Sequence, residues 1–455
     1  MGKQFFTREK GFYAAMVRLS LPAAFRSLLS FLVLMADNVM VSRYSESALA
    51  PVSQANSIST FVTAALSGLG SGAVVMIAQY WGKKDHRSAR QFFSVALAAC
   101  AGLSMLFIAL ILLFPRAILS LVLDGAQQEL TPIALSYLMI SCFAYLPLGI
   151  SSALSGALKG VEVVKVTLYA TVISLLSNVV LNDLLIFGHL GFPRMGVEGA
   201  ALATVIARVI EAAVVWIYCF RVQKAIEIRP RDMLHQEKWA WKDYFRFGAP
   251  VGFTDAQWAL VGLMKMAAIG HLGKEMMSAM NLTDTMMDLG TMFTFALAGG
   301  ACVLVGKAVG QGDMEKVRCY SRTIQVMFAL IGILMAGVVM LVRFPFISLY
   351  GQTEAVEQLA GQMIFIGALT ILGTSYHASC FVGINRGAGD NRFVMGVDII
   401  CGWLVVLPLT YLGAFVFHWP LPVIFLCTRI DQCFKWIIAF FRLRGKKWIK
   451  NVTRA

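Results

Sequence analysis

The stretch GSGAVVMIAQYWGKKD, at residues 70–85, has a second copy further along the chain, AGGACVLVGKAVGQGD at residues 298–313. When the two are superposed, two glycines, an alanine, a valine and an aspartate coincide, and the members of each pair lie 228 residues apart. The same offset places Pro22 on Pro250. Internal symmetry of this kind predicts a structure built from two similar repeats.

The composition around both copies is that of a membrane protein. Of 455 residues, 58% are hydrophobic and 14% are charged, whereas a soluble domain carries about 25% charged residues. Apolar runs of the ~20 residues that a membrane-crossing helix needs recur throughout and predict an all-α membrane protein with twelve spans. Their approximate ranges are 17–41, 51–80, 91–114, 131–158, 163–187, 196–221, 245–271, 278–308, 320–342, 355–384, 392–416 and 420–442.

Positive charge is distributed unequally between alternate loops. The formal net charge is +14, which by itself would also suit a nucleic-acid-binding surface. However, 28 of the 39 Lys and Arg residues lie in the termini and the loops on the same side, against 5 in the loops on the other side. This asymmetry follows the positive-inside rule. We therefore expect two cytoplasmic termini, a retained first helix rather than a cleaved signal peptide, and no nucleic-acid partner.

The longest polar stretch divides the twelve spans into six and six. The predicted domains are an N-terminal lobe at 1–222, a cytoplasmic linker at 223–244 and a C-terminal lobe with a basic tail at 245–455. Because six spans return the chain to the side on which it started, the two copies have the same orientation and form a parallel repeat. Transporters with such repeats commonly hold their substrate between the halves and expose it to each side in turn.

A first group of polar residues lies in the outer half of the N-terminal lobe. Asp37 ends the first span, Asn178, Asn182 and Asp183 lie near the outer end of the fifth, and Thr204 lies two turns into the sixth. Asn178 and Asn182 share a helix face, whereas Asp183 is rotated about 100° away. These oxygen ligands would suit a small cation or a proton relay. Alternatively, they only hydrogen-bond neighbouring helices.

A second group lies in the C-terminal lobe. Adding 228 to Asp37 gives Lys265, and the eighth span carries Asn281, Asp284 and Asp288 on one stripe. A buried lysine needs a partner, and either aspartate at similar depth could serve. With Asp255 in the seventh span, the group carries more negative than positive charge and could attract cations. The alternative is a packed ion pair that fixes helix register.

The remaining intramembrane ionisable residues carry no predicted transport role. Asp398 and His377 are unassigned. Five others are interpreted as internal ion pairs or inner-leaflet anchors, namely Arg208 with Glu211, and Arg429 with Asp431 and Lys435.

Several segments, in order along nearly the whole chain, resemble the multidrug and toxic compound extrusion (MATE) family, bacterial branch. They include LSLPAAFRSLLSFLVLMADNVMVSRY, NVVLNDLLIFG followed by GVEGAALATVIAR, APVGFTDAQWALVG and INRGAGDNRFVMGVD. The resemblance implies a monomeric secondary antiporter of the bacterial inner membrane with two lobes arranged as a V around a central cavity. It would export amphipathic organic cations or other toxic compounds in exchange for Na⁺ or H⁺ by alternating access, contact membrane lipids, and need no cofactor besides the coupling ion.

The resemblance also implies roles for individual residues. Asp37 falls on the acid of the family's first span, Asn178 on its fifth-span Asn, and Thr204 on its sixth-span Thr. Asn182 stands where many members have a second Asp, so this chain has one charge fewer, for which Asp183 could compensate. A Na⁺ ion at Asp37 is the metal site that the resemblance allows.

The C-terminal lobe matches the family less completely. Asp255 corresponds to an acid of a large bacterial branch, another branch has Glu where this chain has Trp258, and Lys265 matches no family motif. The choice between Na⁺ and H⁺ therefore stays open.

Two other functions are weighed against an exporter. A membrane-embedded enzyme would need a catalytic motif such as HExxH or GxSxG, and the sequence contains neither. A flippase for a lipid-linked or amphipathic substrate would share the fold and remains the alternative.

Overall fold

The chain folds almost entirely into helices. The computed structural model describes residues 6–44, 46–120, 131–223, 236–445 and 447–454, and no β-strand occurs in these ranges. The predicted all-α architecture is thus confirmed.

The first repeat contains six long helices, several of which extend past the predicted spans. Their bounds are α1 Lys10–Tyr44, α2 Glu46–Gly82, α3 His86–Leu113, α4 Thr131–Gly160, α5 Lys165–Phe187 and α6 Val197–Val222.

The second repeat follows after a short helix, Lys238–Asp243. Its helices are α7 Ala249–Gly270, α8 Lys274–Gly310, α9 Met314–Ser348, α10 Glu354–Asn385, α11 Asn391–Val416 and α12, which consists of Leu421–Thr428 and Ile430–Arg444.

Within the described ranges, ten helices are long and apolar enough to cross a membrane. The two predicted spans outside this set are α7 and α12. Helix α7 carries Asp255 and Lys265, which lower its hydropathy, and α12 is broken at Arg429, whose backbone leaves the helical region. Both segments are nevertheless helical, so each predicted span corresponds to a helix of the structure.

The aspartates that end the two motif copies begin the helices that follow. Asp85 accepts a hydrogen bond from the backbone N–H of Ser88 at 3.0 Å, and Asp313 accepts one from the backbone N–H of Lys316 at 2.9 Å. Such N-caps satisfy a backbone donor that the first helical turn leaves unpaired, which typically contributes about 1 kcal/mol. The conserved spacing of the repeat therefore marks the same turn between two helices in each half.

The chain forms two compact units, each of which takes a segment from the other half of the sequence. One comprises residues 1–24, 78–84 and 257–455, and the other 25–77 and 85–256. In the first unit, the core is built mainly from α8, α9 and α10; in the second, it is built mainly from α2, α3, α4 and α6. These units differ from the lobes predicted from the sequence at the starts of α1 and α7 and at the end of α2.

Repeat-related glycines explain why these segments pack as they do. A Cβ on Gly72 would lie 2.3 Å from the carbonyl oxygen of Gly248, and a Cβ on Gly300 would lie 2.4 Å from Ser20 Oγ. The second pair equals the first after the 228-residue shift. In each case the start of one repeat's first helix, or the turn before it, lies directly on a glycine that no larger residue could replace without displacing a helix.

The C-terminal ends of α2 and α8 meet through another such pair. A Cβ on Gly82 would lie 2.2 Å from the carbonyl oxygen of Lys307, and a Cβ on Gly310 would lie 1.8 Å from that of Gln79. Lys307 and Gly310 are the repeat equivalents of Gln79 and Gly82, so the contact is symmetric within one compact unit. The shared glycines of the motif are thus explained by close helix crossing.

The C-terminal tail lies against this crossing. The Gln79 side chain donates to the Gly387 carbonyl at 2.9 Å and accepts from the backbone N–H of Val452 at 2.9 Å. Buried Asp390 pairs with Arg442 at 2.7 Å and Lys450 at 2.5 Å. The tail is therefore an ordered part of the C-terminal unit.

Candidate functional site

A small polar network forms around Asp37 near the end of α1. Asn182, which is buried on α5, donates through Nδ2 to Asp37 Oδ1 at 2.5 Å and to Asn178 Oδ1 at 3.3 Å. Asn178 and Asn182 are four residues apart and face the same way, as their spacing predicted. The structure therefore brings together three of the residues singled out from the sequence.

The Asn182 amide occupies the centre of this network. Its Oδ1 atom is buried and has no hydrogen-bond partner among the described residues. Rotation of the amide by half a turn would exchange this oxygen for Nδ2 and direct it towards Asp37 and Asn178. Three oxygens would then converge, a donor set that suits a small hard cation. The residues present thus fit either a proton on Asp37 or a Na⁺ ion.

Three residues that the sequence reasoning did not assign to this site surround the network. Tyr137 on α4 is buried and donates to Asn56 Oδ1 at 3.1 Å, and both Tyr137 and Arg208 lie within Coulombic range of Asp37. Asn56 is the repeat equivalent of Asp284, and that relation was the one available signal. The phenol of Tyr137 left no signal, because aromatic residues are frequent throughout the spans.

Thr204 and Asp183 are not in hydrogen-bond contact with Asp37. Thr204 donates to the Ala200 carbonyl of its own helix at 3.0 Å. Asp183 is half-exposed and lies 2.9 Å from His189 Nδ1. Its carboxylate therefore faces away from the network, as expected for a residue rotated about 100° from Asn182.

The arginine next to this site is held by a buried glutamate. Glu211 accepts from Arg208 at 2.8 Å and from Thr171 at 3.3 Å, and Arg26 lies 3.6 Å away. The predicted internal pair between Arg208 and Glu211 is confirmed. Because Glu211 is buried, this pair fixes the position of a cation near Asp37.

In the C-terminal unit, the predicted contact between Lys265 and the aspartates of α8 is wrong. In the part of the chain that the structure describes, Lys265 Nζ donates to the Thr428 carbonyl at 3.5 Å and has no carboxylate within 4.0 Å. Asp284 is half-buried and within Coulombic range of both Lys265 and Arg429, while Asn281 and Asp288 are exposed. The repeat offset located the lysine correctly but could not specify its neighbours.

The close ion pair of this unit is instead centred on Lys435. Its ammonium lies 2.8 Å from Asp398 Oδ1 and 3.0 Å from Asp431 Oδ2, and all three side chains are at most 9% exposed. The Trp258 ring lies under the ammonium, with its centroid at 4.1 Å. Lys435 therefore sits where two carboxylates and an aromatic face converge, an arrangement that binds organic cations well.

Two further side chains complete this Lys435 cluster. Gln432 donates to Asp431 at 2.7 Å and accepts from Thr374 at 2.9 Å. His377 is buried and lies within Coulombic range of Lys435. Asp431 and Lys435 are paired as predicted, but they are buried together with unassigned Asp398 rather than anchored at the inner leaflet.

Asp255 is grouped with different residues from the rest of its predicted cluster. It belongs to the unit of residues 25–77 and 85–256, where a Cβ on Gly68 would lie 3.2 Å from its Oδ2. A glycine at position 68 thus leaves room for this carboxylate beside α2.

Comparison with protein families now identifies the fold. The MatE family model matches the chain twice, at residues 22–184 and 250–412. The chain belongs to the MatE family. Both the starts and the ends of the two matches lie 228 residues apart, which confirms the offset read from the sequence. MatE proteins are transporters, so the chain is a multi-pass membrane transporter and not an enzyme.

Several MatE relatives match over most of their length. The uncharacterized transporter YisQ of Bacillus subtilis is 25% identical and covers 91% of this chain and 90% of its own. The probable multidrug resistance proteins NorM of Halalkalibacterium halodurans and Thermotoga maritima are 29% and 25% identical; they cover 83% and 96% of this chain and 82% and 93% of their own.

Solved structures of MatE transporters have the same fold. An outward-facing multidrug resistance MATE transporter of the MOP superfamily aligns over 99% of this chain and all of its own, with a TM-score of 0.86 and 19% identity. A MOP superfamily transporter from Pyrococcus furiosus aligns over 97% of this chain and 98% of its own, with a TM-score of 0.85 and 19% identity.

Proposed function

We propose that this MatE transporter exports organic cations or other toxic compounds in exchange for Na⁺ or H⁺ by alternating access. Family membership supplies the class of transporter, and several relatives are described as probable multidrug resistance proteins. The observation that carries the coupling step is the contact of Asp37 with Asn182 in the interior of a membrane protein. A carboxylate there is costly unless it binds a cation, a proton or a fixed donor.

The Asp37 network would act as the coupling site. In the arrangement observed, the Asn182 amide nitrogen supplies the positive end of a dipole between the Asp37 and Asn178 oxygens. A proton on Asp37, or Na⁺ with the amide reversed, would replace that donor. Because Asn182 is neutral, the site carries a single negative charge, so one monovalent cation neutralises it.

The Lys435 cluster and the half-buried charges of Asp284, Lys265 and Arg429 would make the C-terminal unit the substrate-binding half. Net negative charge there attracts cations, and Trp258 offers an aromatic surface. The two repeats would then have unequal chemistry, with ion binding in one and substrate binding in the other.

We further propose that the protein resides in the bacterial inner membrane with both termini in the cytoplasm. In a background lacking the nine native cysteines, a membrane-impermeant thiol reagent added to intact cells should label Leu190→Cys, whose side chain is fully exposed in the α5–α6 loop. It should leave Gln311→Cys, in the α8–α9 turn, unlabelled until the membrane is opened. The reverse pattern would overturn the orientation.

Export itself can be tested in bacteria from which other drug pumps have been deleted. Cells that express the chain should retain less of a fluorescent lipophilic cation than cells with an empty vector. Ionophores that collapse the proton and sodium gradients should abolish the difference.

A flippase would give another result. Cation retention would then be unchanged, whereas a fluorescent phospholipid analogue in vesicles would move between leaflets faster when the protein is present.

A further inference from the structure

A cavity of about 560 Å³ opens in the unit formed by residues 1–24, 78–84 and 257–455, away from both candidate sites. It lies where α9 begins and α12 ends, and the C-terminal tail forms part of its wall. Thirteen residues line it, namely Phe6, Arg318, Ser321, Arg322, Gln325, Val326, Ala329, Tyr376, Phe440, Leu443, Arg444, Gly445 and Trp448. Its volume falls within the range of small-molecule pockets.

The charge of the cavity is wholly positive. Three of its thirteen lining residues are arginines, at positions 318, 322 and 444, and none is acidic. The guanidinium of Arg444 stacks on the Phe440 ring, with its centre 4.2 Å from the ring centroid. Stacking holds the planar group in place without using its N–H donors. Such donors suit the paired oxygens of a phosphate.

Hydrogen bonds fix one wall of the cavity. The Tyr376 hydroxyl donates to Gln325 Oε1 at 2.8 Å, and Gln325 Nε2 donates to the Ser321 carbonyl and hydroxyl, each at 3.1 Å. This chain joins α10 to α9 beside the arginines. The shape of the cavity is therefore set before any ligand enters.

The other wall continues as an apolar stripe. Val326, one turn beyond Arg322, is 46% exposed, and Leu330 and Ile333 on the same face of α9 are more than 60% exposed. In a membrane protein these side chains face acyl chains. Buried Trp448 of the tail adds an aromatic ring at the charged end, where such rings typically mark the headgroup level.

We propose that this cavity binds the phosphate of an anionic phospholipid, with Arg318, Arg322 and Arg444 around the headgroup and the acyl chains along the stripe of α9. Basic pockets between helices at the cytoplasmic end of a membrane protein recognise such lipids. The inference uses the orientation proposed above, in which this end faces the inner leaflet. It does not depend on what the protein transports.

The test measures lipid binding to the purified protein in detergent by native mass spectrometry, with phosphatidylglycerol and, separately, phosphatidylcholine. We expect wild type to retain phosphatidylglycerol preferentially. The triple variant Arg318→Gln/Arg322→Gln/Arg444→Gln should bind it at least ~10-fold more weakly, because each basic residue contributes about 1 kcal/mol. Glycerol 1-phosphate and inorganic phosphate form a second arm, and equally strong retention of either would show a soluble-phosphate site instead.

A matched control removes three exposed basic residues from outside the cavity. The variant Lys84→Gln/Lys238→Gln/Arg392→Gln lowers the net charge by the same amount and should bind like wild type. Equal loss in both triple variants, or no preference for phosphatidylglycerol in wild type, would overturn the proposal. Arg318 and Arg322 are exposed, so Arg318→Gln/Arg322→Gln serves if the triple variant is unstable. Neither result bears on cation export, which is measured separately.

Discussion

Lys435→Met should strongly destabilise the protein. The change leaves the buried carboxylates of Asp398 and Asp431 without the ammonium that lies 2.8 and 3.0 Å from them. Removal of one partner from a buried ion pair costs about 3–5 kcal/mol of unfolding free energy. Thermal unfolding of the purified protein in detergent should therefore show a much lower midpoint than wild type.

The cause of that loss can be separated from loss of packing. Adding Asp398→Asn and Asp431→Asn to Lys435→Met removes the uncompensated charges and should recover much of the stability. Lys316→Met is the control, because its partner Glu9 is exposed and 3.5 Å away, and exposed pairs contribute at most about 1 kcal/mol. If Lys435→Met and Lys316→Met unfold at the same temperature, the Lys435 cluster does not hold this unit together.

Asp37→Asn should abolish gradient-driven export while the protein stays folded. Asparagine keeps an oxygen at the position that accepts from Asn182, but it cannot bind a proton and binds a cation weakly. We expect pump-deficient cells that express this variant to accumulate a lipophilic cation as fully as cells with the empty vector. Size-exclusion chromatography should show wild-type amounts of monodisperse protein.

Asp183→Asn is the matched control for Asp37. It removes the neighbouring carboxylate, which is half-exposed and pairs with His189. This variant should export at nearly the wild-type rate. Loss of export in Asp183→Asn but not in Asp37→Asn would transfer the coupling role to the outer loop.

The number and order of the helices could be read from the sequence, and so could the repeat. Apolar length and a repeated motif are local properties, and they survive in the folded chain. The assignment of residues 1–24 and 245–256 to opposite units was not predictable. It depends on which helices approach at Gly72 and Gly300, and glycines in helices are too common to identify a crossing.

Site residues followed the same division. Depth along the helices predicted that Asp37 and Asn182 would lie close together, since both are a few turns from the same membrane surface. Depth could not reveal that Asp398 and Lys435 would meet, because contacts between α11 and α12 depend on how each helix is rotated. Nor could it assign Lys265, which faces the broken backbone of α12 rather than a carboxylate.

Reconstitution into liposomes tests most directly whether the Asp37 network couples an ion gradient to export. A pH gradient and a Na⁺ gradient would be imposed separately on vesicles that contain purified protein and a fluorescent organic cation. The account predicts that at least one gradient drives wild-type protein to concentrate the cation, and that Asp37→Asn vesicles match protein-free vesicles. Concentration of the cation by Asp37→Asn at the wild-type rate, or failure of both gradients to drive the wild type, would contradict it.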